Sequence, residues 1–435
     1  MSIPVWYLPE TKYKYSFADV EGTLLEPKRA IKRSEHGPYS KDRFREAQIG
    51  VAILCPAMHR QIGERFYRAF QQRTRAYKPF HDVYGLSCYY QPVKVFSGGT
   101  DASTYRAATM ELVRELDRTK ADLWLCFLLI EDRFKQMLIP NNPYFVGRAI
   151  LLSNQILVQS VTVEKARQGD QELQWVLDSI AVQSYAKLGG IPWTIATEHL
   201  EPEIIIGIGE ARMSGVIGSE RVFGFATVFN QNGAYLWTGF GQPVTGFDNY
   251  VISLREKVKQ SIAEYARIEK VTPKRLVIHL YKPPGKRTEA WAIETALAEL
   301  GSDIEYAFVH IDHNTDFRVF DPSRADLKPE GRLVMYVDDY QRLVVLSGRE
   351  VSWIPPRVAR LRLSPQSTYR DLNALTQQVY NFTKVNWAGF QPNNVPVTIK
   401  YPAQLAQKYA SLEQLDGDWY SLITGGFLLE KAWFI

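Results

Sequence analysis

Two uninterrupted apolar runs constrain the fold most: VAILCP at 51–56 and LWLCFLLI at 123–130. Both are far shorter than the roughly 20 residues a membrane helix needs. Neither alternates, so neither reads as a strand with one face in water; both read as strands buried on two faces. Helical periods lie around them, at 57–75 and at 101–120, where DASTYRAATM opens with an Asp or Ser cap. NNPYFVGRAILLSN follows at 141–154, with Asn142 as N-cap and Pro143 in the first turn. LSCYYQPVKVF (86–96) reads as extended, ILVQSVTV (156–163) as a strand and 169–188 as a helix. Continuous apolar strands alternating with helices predict a parallel, Rossmann-like sheet over 46–190.

Gly189-Gly190-Ile191-Pro192-Trp193 closes that unit, and a second pattern begins at EIIIGIGEARM, 203–213. RVFGFATVFNQNGAYLWTGFG (221–241) is a hairpin with Gln-Asn-Gly at its turn. A helix at 247–269, the strand RLVIHLY (275–281), a helix at 288–300 and the strand EYAFVHI (305–311) follow. A hairpin first and helix–strand units after predicts an RNase H-like sheet over 191–435. Residues 1–45 read as polar, Lys/Arg-rich and irregular.

The 435 residues carry a net charge of +5, which permits a nucleic-acid partner without requiring one. Cys55, Cys88 and Cys126 sit in apolar runs and read as buried thiols of a cytoplasmic protein. No signal peptide or membrane span is expected. HIDH at 310–313 has poor metal-site spacing, because 310 and 312 share a strand face and 313 opposes them. GIGEARMSG lacks the spacing of a dinucleotide site.

Several motifs then fall in order. VQSYAKLGGIPW (182–193) resembles the end of the MID domain of Argonaute proteins, and EIIIGIGEAR resembles the first strand of a PIWI domain. WAGFQPNNVPVTIKYPAQLA (387–406) resembles the last PIWI motif, and the chain ends on an apolar tail, KAWFI. The resemblance covers roughly 46–435. It implies a short prokaryotic Argonaute, with MID and PIWI domains and without N and PAZ domains.

It also implies a pocket for the 5′-phosphate of a guide strand. The residues carried over are Tyr144, Arg148, Gln159 and Lys187. Tyr144 and Arg148 lie in the first turns of the helix capped by Asn142, where free N–H groups favour an anion. Gln183 and the carboxylate of Ile435 would hold Mg²⁺ against the phosphate, as hard oxygen donors suit that ion. Gln183 and Lys187 are four apart and share a helix face; without the resemblance a solvated face explains them as well.

Two-metal cleavage needs a cluster of carboxylates. Gly209 stands where an active PIWI domain has its leading Asp, Tyr281 follows the strand where another Asp is expected, and Tyr401 occupies the His or Asp position of the last motif. The resemblance therefore implies a PIWI domain that binds without cutting. Arg360 and Arg362, alternating with apolar residues in RVARLRL, together with KPPGKR (282–287), would track a nucleic-acid backbone. The implied role is a sensor that holds a small guide, RNA or DNA, and pairs it with a complementary target. Output would come from an APAZ-containing effector of TIR, sirtuin-like or nuclease type, with residues 1–45 as its docking surface, in defence against plasmids or phage. The alternative is a guide-directed nuclease with other carboxylates, such as Asp338 and Asp339.

Overall fold

The computed structural model describes residues 3–16, 21–33, 35–74, 77–197, 201–212, 221–240, 243–244, 247–285, 288–324, 329, 331–346 and 358–435, side chains at 210–212, 221–225, 243–244 and 247–250 excepted. The chain opens with two short strands, β1 (Val5–Tyr7) and β2 (Tyr13–Lys14), and one helical turn, α1 (Pro27–Ala30). The first α/β unit runs β3 (Gln48–Pro56), α2 (Arg60–Gln71), α3 (Phe80–Tyr84), β4 (Ser87–Tyr90), β5 (Lys94–Phe96), α4 (Ala102–Glu115), β6 (Leu123–Ile130), α5 (Pro143–Ser153), β7 (Ile156–Thr162), α6 (Val163–Ala166) and α7 (Asp170–Lys187). Its strands pair in parallel in the order β4–β3–β6–β7, and β5 extends the β4 edge of β3. The central strands β3 and β6 are buried almost throughout, as their unbroken apolar composition requires.

A short strand β8 (Thr194–Ile195) leads into the second unit: β9 (Glu203–Arg212), β10 (Arg221–Asn230), β11 (Tyr235–Phe240), β12 (Pro243–Val244), α8 (Phe247–Glu269), β13 (Arg275–Leu280), α9 (Glu289–Glu299), β14 (Glu305–Asp312), β15 (Leu333–Asp338), β16 (Gln341–Val344) and β17 (Ala359–Leu363). Three helices close the chain: α10 (Leu372–Asn381), α11 (Val397–Leu412) and α12 (Trp419–Thr424). The large sheet runs β1–β15–β16–β17–β14–β13–β9–β10–β11, with β12 beside β10. β9, β10 and β11 are antiparallel, while β9, β13 and β14 are parallel. This is the RNase H-like arrangement expected from the sequence. Ile204, Ile206 and Ile208 of β9 pack in one cluster with α8 and α9. The opposite face of β9 receives α11.

Residues 1–45 are not the irregular appendage the sequence suggests. β1 pairs with β15 and β2 with β8. Leu8, Tyr15, Ala30, Ile31 and Phe44 are buried in the same core as the α/β units. Lys32 and Asp178 of α7 form an ion pair at 2.6 Å. Any docking surface on this segment is confined to what stays exposed, such as Ile3, Val5 and Tyr7. The sequence reading also joined 86–96, which divides into β4 and β5, and carried the helix at 57–75 past its end at Gln71. Among the described residues no helix is long and apolar enough to cross a membrane.

Candidate functional site

The site begins at the N-terminus of α5. Asn142 caps it, its Oδ1 accepting from the Tyr144 N–H at 3.0 Å, and Pro143 takes the first position. The Asn142 amide also donates to Phe134 O at 2.7 Å, tying the cap to the preceding loop. One turn on, Arg148 is 2% exposed. It donates to the Tyr144 hydroxyl at 2.7 Å and to the main-chain carbonyl of Trp433 at 2.7 Å. Its Nε is buried without a partner.

β7 and α7 supply the adjoining wall. Lys187 is 2% exposed, so it lies on no solvated face. It donates to Val158 O at 3.0 Å and to Gln159 Oε1 at 2.8 Å. The Gln159 amide donates in turn to Gln183 Oε1 at 3.1 Å, and Gln183 donates to Ala388 O at 2.7 Å. The helix stops directly after Lys187, because Gly189 adopts φ +100°, a left-handed conformation that glycine tolerates.

Sequence reasoning missed Lys408. It comes from α11, yet its ammonium donates to the Tyr144 hydroxyl at 2.9 Å. Arg148, Lys187 and Lys408 thus converge, and among the described residues none is paired with a carboxylate. Burial pushes the Tyr144 phenol up, but the Arg148 and Lys408 charges outweigh it and bring it down to about 8. Burial, and then the same two charges, hold the Lys187 ammonium well below its usual range. An array of cations that disfavour one another fits an anion, which relieves the repulsion.

A cavity of about 950 Å³ opens onto this array. Tyr144, Gln159, Gln183 and Lys408 line it directly, whereas Arg148 and Lys187 stand behind Tyr144 and Gln159. The four residues expected to contact phosphate thus form two hydrogen-bonded pairs, Tyr144 with Arg148 and Gln159 with Lys187, each with one member lining the cavity and one behind it. Phe134, Phe145 and Trp175 also line the cavity and add aromatic surface to its polar lining.

The centre of the large sheet has different chemistry. Gly207 and Gly209 share the face of β9 that meets α11. A Cβ at Gly207 would lie 1.8 Å from Thr398 O, and one at Gly209 would lie 2.6 Å from Pro402 Cβ. The side chain of Glu210 lies outside the described residues. Tyr281 is 39% exposed, and Tyr401 is fully buried with its hydroxyl accepting from the Trp387 N–H at 2.9 Å. Asp338, the last residue of β15, accepts from Tyr340 N and Gln341 Nε2, with β16, β17, β14 and β13 between its strand and β9. Asp339 accepts from the Tyr336 hydroxyl at the β15–β16 turn. Arg360 and Arg362 do share a half-buried face of β17, opposite Asp312 and His310 of β14. Lys286 and Arg287 lie outside the described residues.

With this geometry in view, comparison with known proteins is direct. The Piwi domain family matches residues 144–356, starting at Tyr144 itself. An argonaute of Cereibacter sphaeroides is 25% identical over 442 residues, covering 92% of this chain. Residues 144–356 thus match the Piwi domain, and the chain is similar to an Argonaute over most of its length. A Piwi protein of Archaeoglobus fulgidus is 26% identical over 307 residues, covering 64% of this chain and 68% of its own length. Among solved structures, Clostridium butyricum Argonaute, bound to a guide DNA with a 5′ deoxycytidine and a 19-mer target DNA, superposes with a TM-score of 0.71 at 17% identity over 95% of this chain. The chain spans about half the length of two of these Argonautes, 56% of the Cereibacter protein and 54% of the Clostridium one.

The metal expected at an Argonaute guide pocket finds oxygen donors of the right kind but few of them. Gln183 lines the cavity with its carbonyl oxygen accepting from Gln159, whereas Ile435, two residues beyond the Trp433 tether, is not among the residues that line it. Two protein oxygens do not fill an octahedral shell, so a ligand's phosphate and water would have to complete it. Among the described residues, no three His, Cys, Asp or Glu side chains gather as a metal-binding group.

Proposed function

We propose that this chain holds the 5′-phosphate of a small guide strand, RNA in this reading, and presents the guide for pairing with a complementary DNA strand without cutting it. The observation that carries the proposal is the convergence of Arg148, Lys187 and Lys408, without a carboxylate partner, on the cavity beside the N-terminus of α5. A phosphate there meets a helix N-terminus, two amide side chains and the Lys408 ammonium, with Arg148 and Lys187 behind Tyr144 and Gln159. The guide and target reported for the Clostridium relative support the same kind of ligand. Sequence is then read by base pairing, and the protein recognises backbone and helix geometry. Mg²⁺ between Gln183, the Ile435 carboxylate and the phosphate would offset the repulsion of the two anions.

Binding without cleavage is supported by the glycines at 207 and 209, which leave no space for a side chain under α11, and by tyrosines at 281 and 401. A sensor that does not cut needs an effector. We assign that part to an APAZ-containing partner with NADase or nuclease activity, in a prokaryotic defence system working in the cytoplasm.

The decisive measurement compares guides with a 5′-phosphate and a 5′-hydroxyl on the wild-type chain and on Arg148→Ala/Lys187→Ala. The wild type prefers the phosphate and the double variant does not; an unchanged preference overturns the site. A labelled target incubated with the guided chain and Mg²⁺ or Mn²⁺ stays intact; a cut opposite the middle of the guide overturns the sensing role.

A further inference from the structure

The two glycines of β9 do more than lack carboxylates. Pro402 lies inside α11 and has no N–H to donate to the carbonyl four residues back, that of Thr398. That released carbonyl is the atom nearest the Cβ position of Gly207. The Thr398 hydroxyl meets His279 Nδ1 of β13 at 2.7 Å, which pins the same turn of helix to the next strand. His279 is fully buried and burial lowers its pKa to about 3, so this contact is made by a neutral imidazole. The first turns of α11 therefore rest on bare backbone at the centre of the sheet.

The same helix continues to the guide cavity. Lys408 is six residues beyond Pro402, about 9 Å along the axis, and Gln407, Lys408 and Ser411 all line the cavity. Pro402 interrupts the hydrogen bonding of α11 at its own turn, but no further proline lies between it and Lys408, so the seat of Pro402 on Gly209 sets where the Lys408 ammonium stands relative to Tyr144.

Building on the guide-phosphate reading, we propose that Gly207 and Gly209 are positioning residues for the anion site: they let α11 settle onto β9 at backbone contact and so place Lys408 against Tyr144. The position at which the sequence resemblance expects a leading carboxylate, Gly209, is in this reading the footing of a phosphate-binding helix. A side chain returned to that position lifts α11 and weakens phosphate recognition at the far end of the helix.

The test is a double-mutant cycle on the full chain, read as the ratio of affinities for 5′-phosphate and 5′-hydroxyl guides of one sequence. Loss of the charged contact in Lys408→Ala lowers the ratio about tenfold or more. Gly209→Ala lowers it in the same direction, and Gly209→Ala/Lys408→Ala matches Lys408→Ala alone. Gly63→Ala, which crowds Cys55 inside the first unit, lowers thermal stability and leaves the ratio unchanged. Pro402→Ala favours the helix and returns the N–H that competes for the Thr398 carbonyl, so it reports on the seat without added bulk. It too lowers the ratio, and serves if Gly209→Ala does not fold. A Lys408→Ala variant that keeps the full ratio overturns the anion reading itself. A lowered ratio in Lys408→Ala with unchanged ratios in Gly209→Ala and Pro402→Ala, or independent additive losses, overturns the positioning role alone.

Discussion

Arg148 of α5 and Trp433 are 285 positions apart, yet the buried guanidinium donates to the Trp433 carbonyl at 2.7 Å. The C-terminal segment is thereby fastened to a residue that stands behind the pocket wall in the first α/β unit. Burial of a guanidinium is tolerable only with acceptors at hand, and the Trp433 carbonyl and the Tyr144 hydroxyl supply them.

Adding two glycines after Ile435 leaves the Trp433 carbonyl in place and moves the terminal carboxylate away. If that carboxylate helps to hold Mg²⁺, guide binding by the extended chain loses its dependence on Mg²⁺ while retaining the phosphate preference of the cations. Titration of guide affinity against Mg²⁺, with and without chelator, measures this. Identical Mg²⁺ dependence in both chains removes Ile435 from the metal site.

Guide affinity depends on pH through Tyr144. Its phenol sits near 8 in the folded chain, below the ordinary value of 10.0, so the phenolate is favoured by folding. The stability this confers is absent below pH 8 and grows from pH 8 to 10. Phosphate binding runs the other way, because a phenolate repels the incoming anion. Affinity for 5′-phosphorylated guides falls between pH 7 and 9, and Tyr144→Phe makes that fall shallower. Equal slopes for both chains would exclude Tyr144 from the titration.

Binding also takes up protons at pH 8, where a phosphate monoester is already a dianion (second pKa about 6). The anion favours the protonated Tyr144 phenol, which the Arg148 and Lys408 charges had disfavoured, so this group gains a proton; at Lys187 it opposes a lowering caused first by burial and then by the same two charges. Calorimetry in buffers of different ionisation enthalpy gives the number directly. Net release would contradict the charge arrangement described here.

Asn142→Ala removes the cap of α5 and costs about 1 kcal/mol of stability. It also frees the first turn that carries Tyr144, so phosphate preference falls along with the melting temperature.

Arg360→Ala/Arg362→Ala tests the surface of β17. If both arginines meet phosphates of the guide–target duplex, the salt dependence of target binding shallows by about one unit per arginine. An unchanged slope makes them an ordinary solvated edge, with Arg360 occupied by its contact on the Phe317 ring at 4.9 Å.

Local signals made most of the architecture readable in advance. The unbroken apolar runs announced β3 and β6, and Asn142-Pro143 announced the start of α5. The Gln-Asn-Gly turn announced the β10–β11 hairpin. β1 and β2 escaped because three and two residues carry no period, and their partners lie far along the chain. Lys408 escaped for a related reason. On α11 it looks like any half-exposed lysine of an amphipathic helix, and only the fold brings it to Tyr144, 264 positions earlier. The burial of Lys187 was likewise invisible, since spacing alone describes a surface face equally well.

Pairing between β1 and β15 has a consequence in time. Synthesis runs at about 5–20 residues per second, so Val5–Tyr7 must wait roughly 20–60 s before its partner strand leaves the ribosome. Until then this short strand has no native edge to join, and its apolar side chains are open to any other sheet or to a chaperone. Closing the largest sheet is therefore a late event, and slow translation upstream of Leu333 should prolong the interval in which the new chain aggregates.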